Sequence, residues 1–325
     1  MADSSRGGRP SPGAADSEGT ACRLCGGTTF RPLGNLRDNR TGASQRRWDL
    51  EACVRCELVS VRPMPSSDEL RAAYDQGYGP YAPPPVDPRP PSLRSRAIDR
   101  LRHGWHVLDG MPTADRLPLR GRVLDVGAGE GYNVMRLRRR GIDAVGLEPN
   151  HAAVQAAQAA GLPMIEGAFE DSDLAGPFDA ILLDQVLEHF VDPVAAMRRA
   201  RELLAPDGRV AILTPNAGSL FARAFGSEWA HYHAPFHLHL FGRDQVRRLL
   251  DQTGFHVERV STVSPPFWLA MSIDAARHRS QATDYVLPSR DWQPHPIARV
   301  ALAPLLRLVD FLDAGDCLMA VGRVR

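Results

Sequence analysis

Short apolar runs alternate with stretches of helical periodicity through the second half of the chain. Val123 to Val126, Ala144 to Leu147, Met164-Ile165, Phe178 to Asp184 and Arg209 to Asn216 are brief, aliphatic and bounded by turn residues, as buried parallel strands should be. Between them, Asn133 to Arg140, His151 to Ala160 and Val191 to Leu204 carry helical patterns, the first two stopped by Gly141 and Gly161. Strand alternating with helix predicts an α/β fold built on a parallel sheet. Gln185 to His189 is expected to continue the fourth strand. Gly254 to Val260 and Cys317 to Val324 supply two more strands, with Cys317 in the core. An apolar helical insertion at about 264–314, containing Pro265 to Asp274, Trp268, Trp292 and Ile297 to Leu312, separates them. Ala298 to Leu312 carries arginines only at 299 and 307, which favours a buried or docking helix over a basic membrane binder.

The first third reads differently. Residues 1–20 are rich in Ser, Gly, Pro and Asp without apolar periodicity, the mark of a disordered tail. Cys22-Arg-Leu-Cys25 and Cys53-Val-Arg-Cys56 follow, joined through a strand-like stretch from Arg46 to Ala52. Each C-x-x-C pair can present two sulfurs to one ion, and two pairs complete a closed, tetrahedral, structural zinc site. Leu58 to Tyr74 reads as a strand, a proline-bounded turn and a short helix capped by Ser66 or Ser67, with Glu69 three positions on. The ribbon and its helical extension thus occupy 21–82. A stiff proline-dense linker spans 83–92, and the main domain runs from 93 to 325, opening with a helix at about Leu93 to Leu108.

Composition narrows the partners. The 325 residues carry a formal net charge of +1, and every residue counted as Lys or Arg is arginine. Basic residues are scattered and no aromatic-studded basic stripe is visible, so nucleic acid is an unlikely partner. The sequence shows no signal-peptide pattern and no long apolar run, so a cytoplasmic protein without a membrane span is expected. Oligomeric state is left open. Four of the five cysteines are paired as C-x-x-C, which fits metal binding better than a disulfide framework.

The chemistry concentrates at Arg122-Val-Leu-Asp-Val-Gly-Ala-Gly-Glu-Gly-Tyr132. Gly127, Gly129 and Gly131 give G-x-G-x-G; Tyr132 stands where the dinucleotide fingerprint needs its third glycine. Glu148 ends the next strand, where a carboxylate meets a ribose. The stretch resembles motif I of class I S-adenosylmethionine-dependent methyltransferases. The ribbon, short helix and Tyr78-Gly-Pro-Tyr81 are similar to the front of a bacterial group that includes sugar C-methyltransferases. This resemblance implies a Rossmann-like seven-stranded, mostly parallel sheet, its last strand antiparallel and inserted between strands five and six, plus an N-terminal zinc ribbon.

The resemblance also implies site residues. Asp125, Gly127, Gly129, Gly131 and Glu148 would hold S-adenosyl-L-methionine, Glu148 through its ribose. Phe169, in Gly167 to Asp171, would wall the adenine or else fill the core. Asp184 and Gln185 would face the methionine end; Glu188 and His189 could form an acid–base pair, but the resemblance implies that they support the loop. Among the histidines at 231, 233, 237 and 239, His237 matches the catalytic histidine of the sugar C-methyltransferases, although Phe236 replaces the glutamate expected before it. His237 is therefore either a general base or a loop brace, and Tyr232 a weaker candidate. No Asn-Pro-Pro-Tyr element follows strand four, which argues against methylation of nucleic-acid base amines. The expected activity is methyl transfer to a small-molecule or carrier-linked acceptor of sugar, lipid or natural-product type. Two alternatives are an RNA-modifying methyltransferase gripping RNA with its ribbon and a non-catalytic accessory protein binding zinc and the cofactor.

Overall fold

The computed structural model describes residues 21–38, 46–75, 101, 104–105, 107–278, 287 and 294–325. The amino-terminal tail, Tyr78 and Tyr81, the proline-dense linker and most of the helix expected from Leu93 lie outside the described residues, as does Trp292.

Two sheets organise the chain. The larger is made by β4 (Arg122–Val126), β5 (Asp143–Glu148), β6 (Met164–Glu166), β7 (Phe178–Asp184), β8 (Leu204–Pro215), β10 (Phe255–Val263) and β11 (Cys317–Val324). Its order is β10-β11-β8-β7-β4-β5-β6, with β11 antiparallel to both neighbours. The last strand is thus inserted between the fifth and sixth. Alternation along β4 places Leu124 and Val126 on one face and Val123 on the other. The first face is sealed by the helices Pro193–Leu203 and Arg243–Gln252 through Met197, Val246 and Leu249. The second is sealed by Tyr132–Arg139, His151–Ala159 and Pro266–His278 through Leu137, Val154 and Trp268. Among its described residues the insertion contains that last helix and a second, Pro296–Phe311.

Gln185 to His189 does not extend β7. Gln185 takes a left-handed conformation, φ 57°, and Leu187–His189 forms a 3-10 turn. Gln185 N–H still donates to Leu213 O at 2.8 Å, so the ladder ends there and the chain turns across the strand ends.

The smaller sheet has order β1-β2-β3-β9: β1 (Phe30–Leu36), β2 (Trp48–Cys53), β3 (Val59–Arg62) and β9 (His239–Leu240). Its fourth strand comes from the far half of the chain. Val59 opposes Leu240, Ser60 opposes His239, and Val61 N–H donates to Leu238 O at 3.0 Å. Gln245 Nε2 adds a hydrogen bond to Cys56 O at 2.6 Å. Apolar packing follows the same route, since Leu50, Val59 and Val61 share a core with Trp229, Tyr232 and Leu240. Ser66 caps Ser67–Asp75: its N–H donates to Glu69 Oε2 at 2.8 Å, and Glu69 N–H donates to its hydroxyl at 3.2 Å.

Candidate active site

The loop from β4 into the helix Tyr132–Arg139 forms the first wall. Gly127, Gly129 and Gly131 have φ of 64°, 51° and 81°, a region that residues with a Cβ rarely adopt. A Cβ on Gly127 would lie 2.6 Å from Val186, whereas nothing lies within 4 Å of one on Gly129. Gly129 therefore borders open space wide enough for a ligand to approach the backbone. Glu148 stands across from it: Oε2 accepts from Gly129 N–H and Oε1 from Asn150 N–H, each at 2.9 Å. These bonds fix the carboxylate at the strand end and leave each oxygen a lone pair for a diol. Burial pushes the Glu148 carboxyl up from its ordinary value.

Two further acids line the strand ends. Asp125 is buried and its Oδ2 has no hydrogen-bond partner. Burial, then the neighbouring Asp184, raises its pKa well above the usual carboxylate range. Asn133 Nδ2 donates to Asp184 Oδ2 at 2.9 Å. Three carboxylates around one crevice, two displaced toward their neutral forms, favour a ligand bearing positive charge. Carboxylate lone pairs open to a diol beside a cation-favouring crevice are chemically compatible with S-adenosylmethionine, which carries a ribose, a sulfonium and an ammonium. Phe169 is buried, with its ring centroid 5.9 Å from that of Phe190. Gln185 Nε2 reaches Cys317 Sγ at 3.6 Å, so the left-handed residue is tied to the core strand β11.

Beyond β7 and β8 the structure gathers a second group. Glu188 is fully buried; Thr214 Oγ1 donates to its Oε2 at 2.9 Å while Oε1 has no partner. His237 Nε2 lies 4.0 Å from that oxygen, and its Nδ1 is 2.7 Å from His231 O. A carbonyl only accepts, so Nδ1 carries the proton and Nε2 the lone pair. Burial, then the neighbouring histidines, depresses the pKa of His237 well below its usual value, and the ring is neutral at pH 7. His189 packs edge-on to His237 at 4.9 Å between centroids. Its Nδ1 lies 2.9 Å from Phe236 O and 3.1 Å from Tyr74 Oη.

The remaining candidates separate from this group. His239 turns into the small sheet, where its Nδ1 meets Ser60 Oγ at 2.8 Å. Tyr232 packs on Trp229 at 5.0 Å, and burial pushes its phenol up to about 12, which suits packing better than proton abstraction. Phe236 stands edge-on to Tyr74 at 5.1 Å. Tyr74 escaped sequence reading because only the fold brings its helix beside residue 189. Glu188 carried a signal, a carboxylate inside the apolar block Val186 to Phe190, that points to burial with a purpose.

The four paired cysteines converge. Their sulfurs lie within 4.8 Å of one another, with Cys22 to Cys56 and Cys25 to Cys53 each 3.5 Å apart. Zinc–sulfur bonds of about 2.3 Å place tetrahedral sulfurs about 3.8 Å apart, so the cluster closes on zinc with little movement. Gly27 N–H donates to Cys25 Sγ at 3.4 Å, the orientation a bound thiolate favours.

Residues 98–260, half of the chain, match the profile of a methyltransferase domain. The chain belongs to that methyltransferase family. The methyltransferase is 30% identical over 215 residues to a ubiquinone biosynthesis O-methyltransferase from Xylella fastidiosa, covering 61% of this chain and 80% of the relative. A relative of the same name from Cereibacter sphaeroides is 31% identical over 188 residues, 53% of this chain and 75% of that one. Among solved structures, the [4+2]-cyclase SpnF is similar with a TM-score of 0.47 and 19% identity, covering 80% of this chain and 97% of that one. An S-adenosylmethionine-dependent methyltransferase from Archaeoglobus fulgidus matches with a TM-score of 0.44 and 15% identity, over 70% and 94%. The methyltransferase uses S-adenosylmethionine. Among the described residues, no helix is long and apolar enough to cross a membrane.

Proposed function

We propose that the methyltransferase acts on a hydroxyl of a small-molecule or carrier-linked acceptor, with His237 as the base that receives the hydroxyl proton. The observation that carries this reading is the neutral His237 imidazole, its Nδ1 held by the His231 carbonyl and its Nε2 4.0 Å from Glu188 Oε1 in the turn after β7. An oxygen nucleophile must shed a proton around methyl transfer, and a ring fixed in the base form at neutral pH is ready to take it. The relatives' own names, O-methyltransferases of ubiquinone biosynthesis, support an oxygen acceptor. S-adenosylmethionine supplies the electrophilic methyl group and a thioether leaving group. Gly129 and Glu148 would hold its adenosyl part, and Asp125, Asp184 and Gln185 would face its charged end. Zinc in the Cys22, Cys25, Cys53 and Cys56 cluster would be structural, because four sulfurs leave no open coordination position. A four-thiolate site of this kind suits a reducing cytoplasm.

The test offers a panel of catechols, simple sugars and sugar nucleotides with the methyl donor and reads methylated product by mass spectrometry. O-methylation of a catechol or sugar hydroxyl is expected. His237→Gln should lower kcat by about 10²- to 10⁴-fold while leaving S-adenosylhomocysteine affinity unchanged. A His237→Gln enzyme with undiminished turnover would remove His237 from the reaction.

A further inference from the structure

We propose that Glu188 is a positioning residue for this reaction: its unpartnered Oε1, facing His237 Nε2, compensates the charge that ring gains on accepting the acceptor's proton. The proposal rests on the reading of His237 as base. A fully buried imidazole cannot hold a positive charge alone, because burial penalises the protonated form. His237 already spends Nδ1–H on the His231 carbonyl, so a second proton must enter at Nε2, the atom turned to Glu188. Thr214 Oγ1 donates to the other oxygen of Glu188 and aims the carboxyl. Leu238 N–H donates to Glu188 O at 2.8 Å, tying the backbone of Glu188 to the residue that follows His237. At 4.0 Å the carboxyl acts on the ring through its charge rather than through a hydrogen bond, which leaves the Nε2 lone pair for the acceptor's proton.

The step balances as a proton transfer. The acceptor O–H bond breaks and its proton joins His237 Nε2. The oxygen keeps the electron pair that forms the new O–CH3 bond. An imidazolium and a carboxylate then face each other, and the pair is neutral whether the proton rests on Nε2 or on Oε1. The working form before reaction is ionised Glu188 beside neutral His237. Burial pushes the Glu188 carboxyl up to about 8, so this form grows as pH rises through that value.

Other groups face the pair from every side. His189 lies on the same turn, with its pKa pushed down to about 4 by burial. His231 and His233 lie on the loop before His237, the former pushed down to about 3 by burial. Asp184 ends β7 and Cys317 begins β11, its thiol raised well above 9 by burial. Asp316, pushed up to about 7 by burial, reaches the pair only through His231, 3.8 Å from that ring's Nε2.

The full-length protein labelled with 15N-histidine gives a test that needs no acceptor. Spectra of His237→Gln assign the His237 resonances. Expected is a change in the Nε2 shift between pH 6 and 10, with its midpoint near 8, that disappears in Glu188→Gln. Thr214→Val, which strips the hydroxyl that stabilises the carboxylate, should move the midpoint upward and serves if Glu188→Gln folds poorly. A His237 ring indifferent to pH overturns the proposal, as does a step that persists unaltered in Glu188→Gln or one that Thr214→Val leaves in place. Turnover by His237→Gln tests the base reading separately.

Discussion

Replacing Glu148 by alanine separates cofactor binding from folding. Its two oxygens each accept one backbone N–H at 2.9 Å and keep a lone pair toward the space beside Gly129. A ribose diol would donate one hydrogen bond to each oxygen, and bonds to a charged acceptor contribute about 1.5–3 kcal/mol apiece. With water replacing part of that loss, about 3 kcal/mol remains, a weakening of about 100-fold or more. Isothermal calorimetry with S-adenosylhomocysteine reads it directly. The fold should survive, since Gly129 and Asn150 N–H lie in partly exposed turns and each lost acceptor costs about 1 kcal/mol, a few degrees in Tm. Affinity should also fall at acid pH. The ionised carboxylate is the form that accepts both hydroxyls, and its raised pKa brings protonation closer to neutrality than for a free glutamate. A Glu148→Ala protein that binds within about threefold of the parent would refute the ribose assignment.

Three other outcomes can be checked alongside. Purified protein should hold one zinc per chain by elemental analysis; Cys53→Ser should lose it and lower Tm, and a metal-free parent of equal stability would argue against the site. Gly131→Ala should destabilise by about 1–3 kcal/mol in chemical denaturation, because its φ of 81° strains a side chain and the new Cβ would meet Leu162 Cδ1 at 2.7 Å. Glu188→Gln should gain stability over the parent as pH rises from about 4.5 to 8. Across that window the unfolded parent releases a proton that the folded one, with its carboxyl pushed up to about 8, retains, so parental stability falls with pH. Parallel Tm-against-pH curves for the two proteins would contradict it.

Much of the main sheet was legible because each strand is a short aliphatic run closed by a turn residue, and periodicity suffices for that. Cys317–Val324 could be placed between strands five and six only by resemblance, since nothing in an apolar octapeptide states its partners. Gln185 was misread as strand because a left-handed glutamine has no compositional mark; the glycines at 127, 129 and 131 do. The two C-x-x-C pairs announced a cluster by spacing alone. Phe30–Leu36 and His239–Leu240 escaped notice, the first for its mixed Arg, Pro and Gly content, the second because a two-residue strand exists only by virtue of the edge it joins. The Glu188 to His237 pairing spans 49 positions, and long-range side-chain geometry has no local signature.

The splice of β9 onto β3 makes the cysteine module a load-sharing wall rather than an appendage. Leu238, next to His237, accepts from Val61 N–H at its carbonyl and donates its own N–H to Glu188 O, so the peptide groups on either side of one residue are held from both halves of the chain. Exchanging this front segment for that of a relative would also exchange the scaffolding behind residue 237. Cutting it away would expose the Leu238 carbonyl and the His239 ring to water. The four-cysteine cluster and residue 237 are therefore joined through the β3–β9 pairing, so a disturbance at the cysteines has a direct backbone route to the histidine.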